Sequence, residues 1–212
     1  METVAEHTSI VLETRRIRLR ETQDKDIVTI HDWRNSEKFR LLVHYNTDEI
    51  SYEDFHEEFI RETEYYKYRL IIERVENEQP IGLIYVDTFS EQYRSCFINL
   101  FIAEPFEKKG YGVDAFVVFV LFLFRQEQLK KLFANAFDFN HHSMSCMKNL
   151  GMKELIGNVT KVVRRGEEQS IVCYAADENI VPRLERICQY LSGVIKYQSQ
   201  PTILASESFH QQ

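Results

Sequence analysis

Residues 115–124 read Ala-Phe-Val-Val-Phe-Val-Leu-Phe-Leu-Phe, ten apolar positions without interruption, and Gly110-Tyr111-Gly112 stands just ahead of them. A helix needs roughly twenty apolar residues to cross a bilayer, so this segment is too short to span one. A helix that is apolar on every face has instead to be buried on every face. The chain must therefore build a sheet against one side of it and find further cover for the rest, which a dimer partner could supply. With 44% apolar and 13% aromatic residues, the 212-residue chain has enough material for one sizeable core.

The flanking patterns say what that sheet is made of. Residues 9–13 and 16–20 read as short strands, the second alternating with period two. Asp24 is placed to cap a helix carrying Ile27, Ile30 and Trp33, and Ser51 with Asp54 resembles a capping box opening a second helix with Phe55, Phe59 and Ile60. After the tyrosines 65, 66 and 68 come strands at 70–72, 81–86 and 95–102, with a turn at Glu76-Asn77-Glu78. The apolar helix is expected over 110–128, a strand over 131–139, a short helix over 142–150, and two strands within 152–175 around Arg165-Gly166-Glu167. This order predicts a mixed α/β domain over residues 1–177, with helices on both faces of one sheet. Leu184, Ile187, Leu191 and Val194 recur at helical spacing, so 178–197 reads as a helical extension that either caps the domain or forms a dimer seam. Residues 198–212 read as a disordered tail.

Composition narrows the partners. A formal charge of -7 argues against nucleic acid and suits a cationic substrate. Cys96, Cys146, Cys173 and Cys188 match neither a metal-binding spacing nor a compact disulfide framework, so they read as reduced thiols, and no metal site is expected. No secretory leader is recognisable and no segment is long enough for a membrane span, so the expectation is a soluble cytoplasmic protein without membrane contact.

Glycines at a helix start let a ligand approach the backbone, where unpaired N–H groups and the helix dipole attract an anion. Gly110-Tyr111-Gly112 behind Lys108 and Lys109 has that chemistry, although an ordinary strand-to-helix turn would look the same. The string also satisfies a dinucleotide fingerprint with Ala115, but that needs a strand running directly into the glycines and an acid about twenty residues on. Seven residues separate Ile102 from Gly110, and positions 130 and 131 are lysines, so that reading fails.

Taken together, Glu107-Lys108-Lys109-Gly110-Tyr111-Gly112, Asn140-His141-His142-Ser143 and Gly151-Met152 resemble the GNAT superfamily of N-acetyltransferases. The branch they resemble includes the ribosomal-protein N-terminal acetyltransferases. Thr14 through Arg20, Trp33-Arg34-Asn35 and Pro80-Ile81-Gly82 fit in order, so the resemblance covers about residues 8–177. It implies a single domain with a twisted mixed sheet and a V-shaped opening between central parallel strands. It also implies acetyl-CoA or another acyl-CoA as co-substrate, attacked directly by an amine in a ternary complex. The diphosphate would meet Lys108, Lys109, Gly110, Tyr111, Gly112 and Val113; the pantetheine arm would pair with Leu100, Phe101 and Ile102; Asn140 and Ser143 would lie beside the sulfur.

Several positions depart from the family pattern. Glu107 stands where the loop usually has Arg or Gln, so it either points to solvent beside compensating lysines or weakens the cofactor. Met147 occupies the position of the usual proton-donating tyrosine, and Phe97 that of a frequent glutamate base. Ser143 is the substitute acid, or else a helix cap; Cys146 is a further neighbour of the thiol or a small apolar residue. Asp87 and Asp138 are candidate bases, or turn residues, while His141 and His142 read as solvent-facing. Trp33, Arg34 and Asn35 are expected on the acceptor side, with Arg34 either recognising an anionic group or serving a structural ion pair. Three functions remain open: acylation of a small-molecule amine, acetylation of a peptide N-terminus, and a silent CoA-binding or partner-binding module.

Overall fold

Ile17 and Leu19 alternate with Arg18 and Arg20 along β2 (Ile17–Glu21), giving the strand one apolar and one charged face. In the computed structural model, which describes residues 8–42, 48–63, 67–164, 166–191 and 196–201, both faces find partners. Ile17 and Leu19 enter the main core with no exposed surface. On the other face the Arg20 guanidinium donates to both carboxylate oxygens of Asp26 at 2.6 and 2.9 Å and to Glu73 at 2.7 Å, while Arg18 reaches Glu73 at 3.0 Å. Asp26 and Glu73 are buried, so the arginines offset the cost of enclosing two carboxylates.

The remaining strands are β1 (Thr8–Glu13), β3 (Tyr68–Arg74), β4 (Pro80–Ser90), β5 (Ser95–Ile102), β6 (Lys131–Phe137), β7 (Lys153–Arg164), β8 (Glu167–Asp177) and β9 (Lys196–Pro201). They form one sheet in the order β7-β8-β6-β5-β4-β3-β2-β1-β9. Neighbours run antiparallel throughout, except for the parallel pair β5 and β6. Leu70, Ile71 and Ile72 in succession are fully buried, as a strand covered on both faces requires.

Helices α1 (Ile27–Asn35) and α3 (Tyr52–Thr63) cover one face, packing Ile27, Ile30, Phe55 and Phe59 on Ile71 and Leu83. The Ser51 hydroxyl accepts the Asp54 N–H at 3.1 Å, the expected capping contact. The first helix begins differently from the expectation: Gln23, not Asp24, precedes a short 3₁₀ turn, and Asp26 accepts the Gln23 N–H at 2.8 Å. Helix α2 (Glu37–Leu42) was not foreseen; six residues are too few to show a period, and Ser36 caps it by accepting the Phe39 N–H at 3.2 Å.

On the opposite face lies α4 (Tyr111–Arg125), in which every residue from 114 to 124 is buried. Its cover comes from within the chain. Helix α6 (Val181–Leu191) adds Leu184 and Cys188 to the same core, and α5 (His141–Leu150) adds Met147 and Leu150. The C-terminal extension thus caps the domain. Its described helix spans Val181–Leu191, and Lys196 and Tyr197, expected within the helix, instead begin a strand, Lys196–Pro201, that pairs with β1 and takes in the first four positions of the expected tail. Tyr65, Tyr66, Arg165, Val194 and residues 202–212 lie outside the described residues.

A β-carbon at Gly82 would stand 2.2 Å from the Phe101 carbonyl oxygen, closer than β4 and β5 can accommodate without parting. Gly82→Ala is therefore expected to cost about 2–3 kcal/mol, the upper part of the range for overpacking a closed core. A urea melt would show it as a lower midpoint at unchanged slope.

Candidate active site

β5 and β6 are hydrogen-bonded only from Ser95–Lys131 to Phe97–Phe133. Beyond that point β5 continues to Ile102 paired with β4, and β6 continues to Phe137 paired with β8. The two parallel strands separate, leaving the V-shaped opening expected from the sequence. A cavity of about 760 Å³ occupies the gap, bounded by both strands and by the starts of α4 and α5.

The backbone of β5 is polarised by its pairing. The Ala103 N–H donates to Ile81 O at 2.8 Å, which fixes the phase of the antiparallel ladder with β4. By alternation Asn99 and Phe101 turn their N–H and C=O groups toward β4, while Leu100 and Ile102 turn theirs toward the opening. Phe101, a candidate backbone contact, lines the cavity but spends its peptide groups on Leu83; its ring packs against Trp33 and Phe39.

At one end of the cavity Gly110 caps α4 with φ +83°, a left-handed conformation that glycine adopts without penalty. Among the described residues no acceptor is found for the N–H groups of Lys108, Lys109, Gly110, Tyr111 and Gly112, whereas the Val113 N–H is bonded to Gly110 O at 3.1 Å. Lys108, Gly110, Tyr111, Gly112 and Val113 all line the cavity. The Lys109 side chain does not; its ammonium donates back to Pro105 O at 2.9 Å.

The loop is braced from the Thr14–Arg20 stretch, to which the sequence assigned no part in the site. Arg16 clamps the buried carboxylate of Asp114 through Nε at 2.8 Å and Nη2 at 2.7 Å, and Nη1 donates to Lys109 O at 3.1 Å. Its guanidinium also lies 5.3 Å from the Tyr111 ring centroid. Glu107 is partly enclosed and does not stand unpaired; it forms an ion pair with Lys38 of α2.

At the other end Asn140 caps α5, its side-chain oxygen accepting the Ser143 N–H at 3.1 Å. This corrects the alternative in which Ser143 itself caps the helix. The Ser143 hydroxyl is half-buried, lines the cavity, and has no partner among the described residues. Cys146 and Met147 line the same wall, and burial raises the Cys146 thiol above its ordinary pKa, keeping it neutral. Of the two histidines only His142 lines the cavity, with Nε2 3.8 Å from the Cys146 sulfur.

The remaining candidates divide. Asp87 lines the cavity near Phe97, is exposed, and accepts the Thr88 hydroxyl at 2.9 Å. Asp138 is exposed but does not line it. Trp33, Arg34 and Asn35 also stay outside the lining. Asn35 exchanges two hydrogen bonds with the Ile50 backbone, at 2.9 and 3.0 Å, joining α1 to the start of α3. Arg34 is buried and its guanidinium reaches Asp48 O at 3.5 Å. The Trp33 ring packs against Phe101, and none of the three side chains faces the cavity. Phe97 lies over Phe133 with ring centroids 5.2 Å apart, filling the apex where the strands part.

Among the described residues no group of three His, Cys, Asp or Glu is arranged to hold a metal, and no helix is long and apolar enough to cross a membrane. All four cysteines are free thiols.

This arrangement recurs in known structures. A GNAT-family acetyltransferase from Bacillus anthracis superposes with a TM-score of 0.68 at 16% identity, covering 80% of this chain and 99% of its own. Spermidine N-acetyltransferase from Vibrio cholerae, solved with CoA and spermine, gives 0.70 at 17% identity over 78% and 98%. A "putative ribosomal-protein-serine acetyltransferase" from Vibrio cholerae gives 0.63 at 15% identity over 79% and 97%. No curated protein sequence matches the chain. The acetyltransferase (GNAT) domain family matches residues 16–153, which contain the splayed strands, the glycine cap and Asn140 with Ser143; the chain is a member of that family, an N-acetyltransferase.

Proposed function

We propose that the protein transfers an acetyl group from acetyl-CoA, or a related acyl group from another acyl-CoA, to the primary amine of a small molecule, with both substrates bound at once. The observation that carries this is one cavity running from the glycine loop, where Lys108, Gly110, Tyr111 and Gly112 have N–H groups without an acceptor among the described residues, to the Ser143 hydroxyl, which has no partner among them either. The residues fit the cofactor: backbone donors at a helix start suit a diphosphate, and the outward peptide groups of Leu100 and Ile102 suit the amides of a pantetheine arm. The bound thioester supplies an electrophilic carbonyl and a thiol leaving group.

The chain's own groups then have distinct tasks. An outward N–H of Leu100 or Ile102 binds the carbonyl oxygen as negative charge gathers there. Ser143 donates a proton to the sulfur as the carbon–sulfur bond breaks and regains one from the acylated nitrogen, which sheds it as the amide forms, a task Met147 cannot perform. Asp87, exposed at the cavity, favours the approach of a cationic amine and accepts its proton through water. Asn140 holds the first turn of α5 so that Ser143 stays aimed at the cavity.

Turnover with acetyl-CoA and a panel of polyamines, amino sugars, amino-acid derivatives and N-terminal peptides, read as thiol release, tests the reading. Turnover with small amines is expected. Activity confined to peptides would replace the acceptor class, and CoA binding without turnover of any acceptor would sink the catalytic assignment. Ser143→Ala is expected to lower kcat about 100-fold, within the usual range for a general acid, with the affinity for CoA held within a factor of about two.

A further inference from the structure

We propose that Lys38 of α2 supplies the positive charge that the phosphate-binding loop lacks at Glu107, making α2 part of the cofactor site. The inference rests on the CoA reading above and names a residue from a different part of the chain.

Four geometric observations carry it, and one electrostatic one bears on it. Glu107 opens the loop whose next residues have N–H groups without an acceptor among the described residues, and an unpaired carboxylate there would repel a diphosphate. Lys38 forms an ion pair with Glu107, and both side chains are about three-quarters enclosed, at 29% and 26% exposure, so water screens the pair only partly. Lys38 and Glu107 both line the cavity, which leaves the ammonium within reach of an anion entering beside the carboxylate. Of Lys108 and Lys109, the residues that sequence alone would choose to compensate, Lys108 lines the cavity but Lys109 is turned away onto Pro105 O. Burial lowers the Lys38 pKa from its ordinary value, while Glu104 favours its charge and Lys108 opposes it.

The position of α2 is itself fixed from across the sheet. Arg164 of β7 donates to Leu41 O at 2.6 Å and to Arg40 O, and its guanidinium lies 4.7 Å from the centroid of the Phe137 ring on β6. The helix carrying Lys38 is thereby tied to one wall of the cavity while its ammonium reaches the loop at the other.

CoA affinity measured by calorimetry on the wild type, Lys38→Gln, Glu107→Gln and the double variant tests this. The expected pattern has opposite signs: Lys38→Gln weakens CoA about tenfold or more by leaving a bare carboxylate beside the phosphates, and Glu107→Gln tightens it by freeing the ammonium. The double variant returns to within about threefold of wild type, as a coupled pair requires. Equal weakening by both single variants would mean that the pair only ties α2 to the loop, and an unchanged affinity in Lys38→Gln would also overturn the proposal. A thermal melt of each variant shows that the comparison is made on folded protein. If the wild type itself binds no CoA, the cofactor reading falls, a failure distinct from a wild type that binds while its variants keep the same affinity.

Discussion

Replacing Arg16 with alanine is expected to cost about 3 kcal/mol of stability, the lower end of the range for removing one partner of a buried ion pair. The Asp114 carboxylate has no exposed surface, whereas the Arg16 side chain is 32% exposed. Losing the arginine therefore strands a buried negative charge, while losing the aspartate leaves a cation that can turn to water. Asp114→Asn in the Arg16→Ala background is expected to recover part of the loss, because a neutral amide costs far less to enclose. Urea unfolding of the two single variants and the double variant would show this order. A loss below about 1 kcal/mol for Arg16→Ala would mean that water already reaches the carboxylate. Because the same guanidinium holds Lys109 O, the glycine loop should loosen with it, and CoA affinity should fall together with stability.

Gly110→Asp is expected to weaken CoA binding about 1000-fold: a unit charge a few Å from a phosphate is worth about 3 kcal/mol, roughly 100-fold, at an effective dielectric constant near 20 once salt screening is allowed for, and the backbone adds about tenfold. Two effects combine. The backbone there has φ +83°, which an L-residue adopts reluctantly, and the new β-carbon would lie 3.2 Å from Arg16 Nη2. The added carboxylate would compete with Asp114 for Arg16 as well as oppose the incoming phosphates. Gly110→Asn separates charge from conformation: asparagine tolerates the left-handed region and carries no charge, so it should lose only about tenfold. Equal losses for Asp and Asn, measured by calorimetry, would assign the whole effect to backbone geometry.

Much of this site is legible in short stretches of sequence. Gly110 and Gly112 are legible because a helix start is a property of a few consecutive residues, Asn140 and Ser143 through the family resemblance, and all four line the cavity. The separation of β5 and β6 followed from the family resemblance, and the structure adds where they part, at Phe97 and Phe133. Asp87 and Asp138 looked equivalent in sequence, each at the end of a strand, yet only Asp87 lines the cavity. Trp33, Arg34 and Asn35 show the opposite limit, since a motif fixes the helix that carries a residue but not whether its side chain faces the cleft or the neighbouring helix.

The apolar run at 115–124 determined by itself that this helix would be enclosed, because a ten-residue apolar surface is too costly to leave in water. The sequence did not say what would enclose it. An amphipathic helix such as α6 can cover its own chain or another copy, and only the packing of Leu184 and Cys188 against α4 shows that it covers its own. The charges follow the same division. That Glu107 sits in the loop and Asp114 in the first turn of α4 is plain from the residues, but each is balanced by a cation distant in the chain, Lys38 and Arg16. Period, cap and backbone sign are set within a turn of chain, whereas the neutralisation of a buried charge depends on which surfaces the fold brings together.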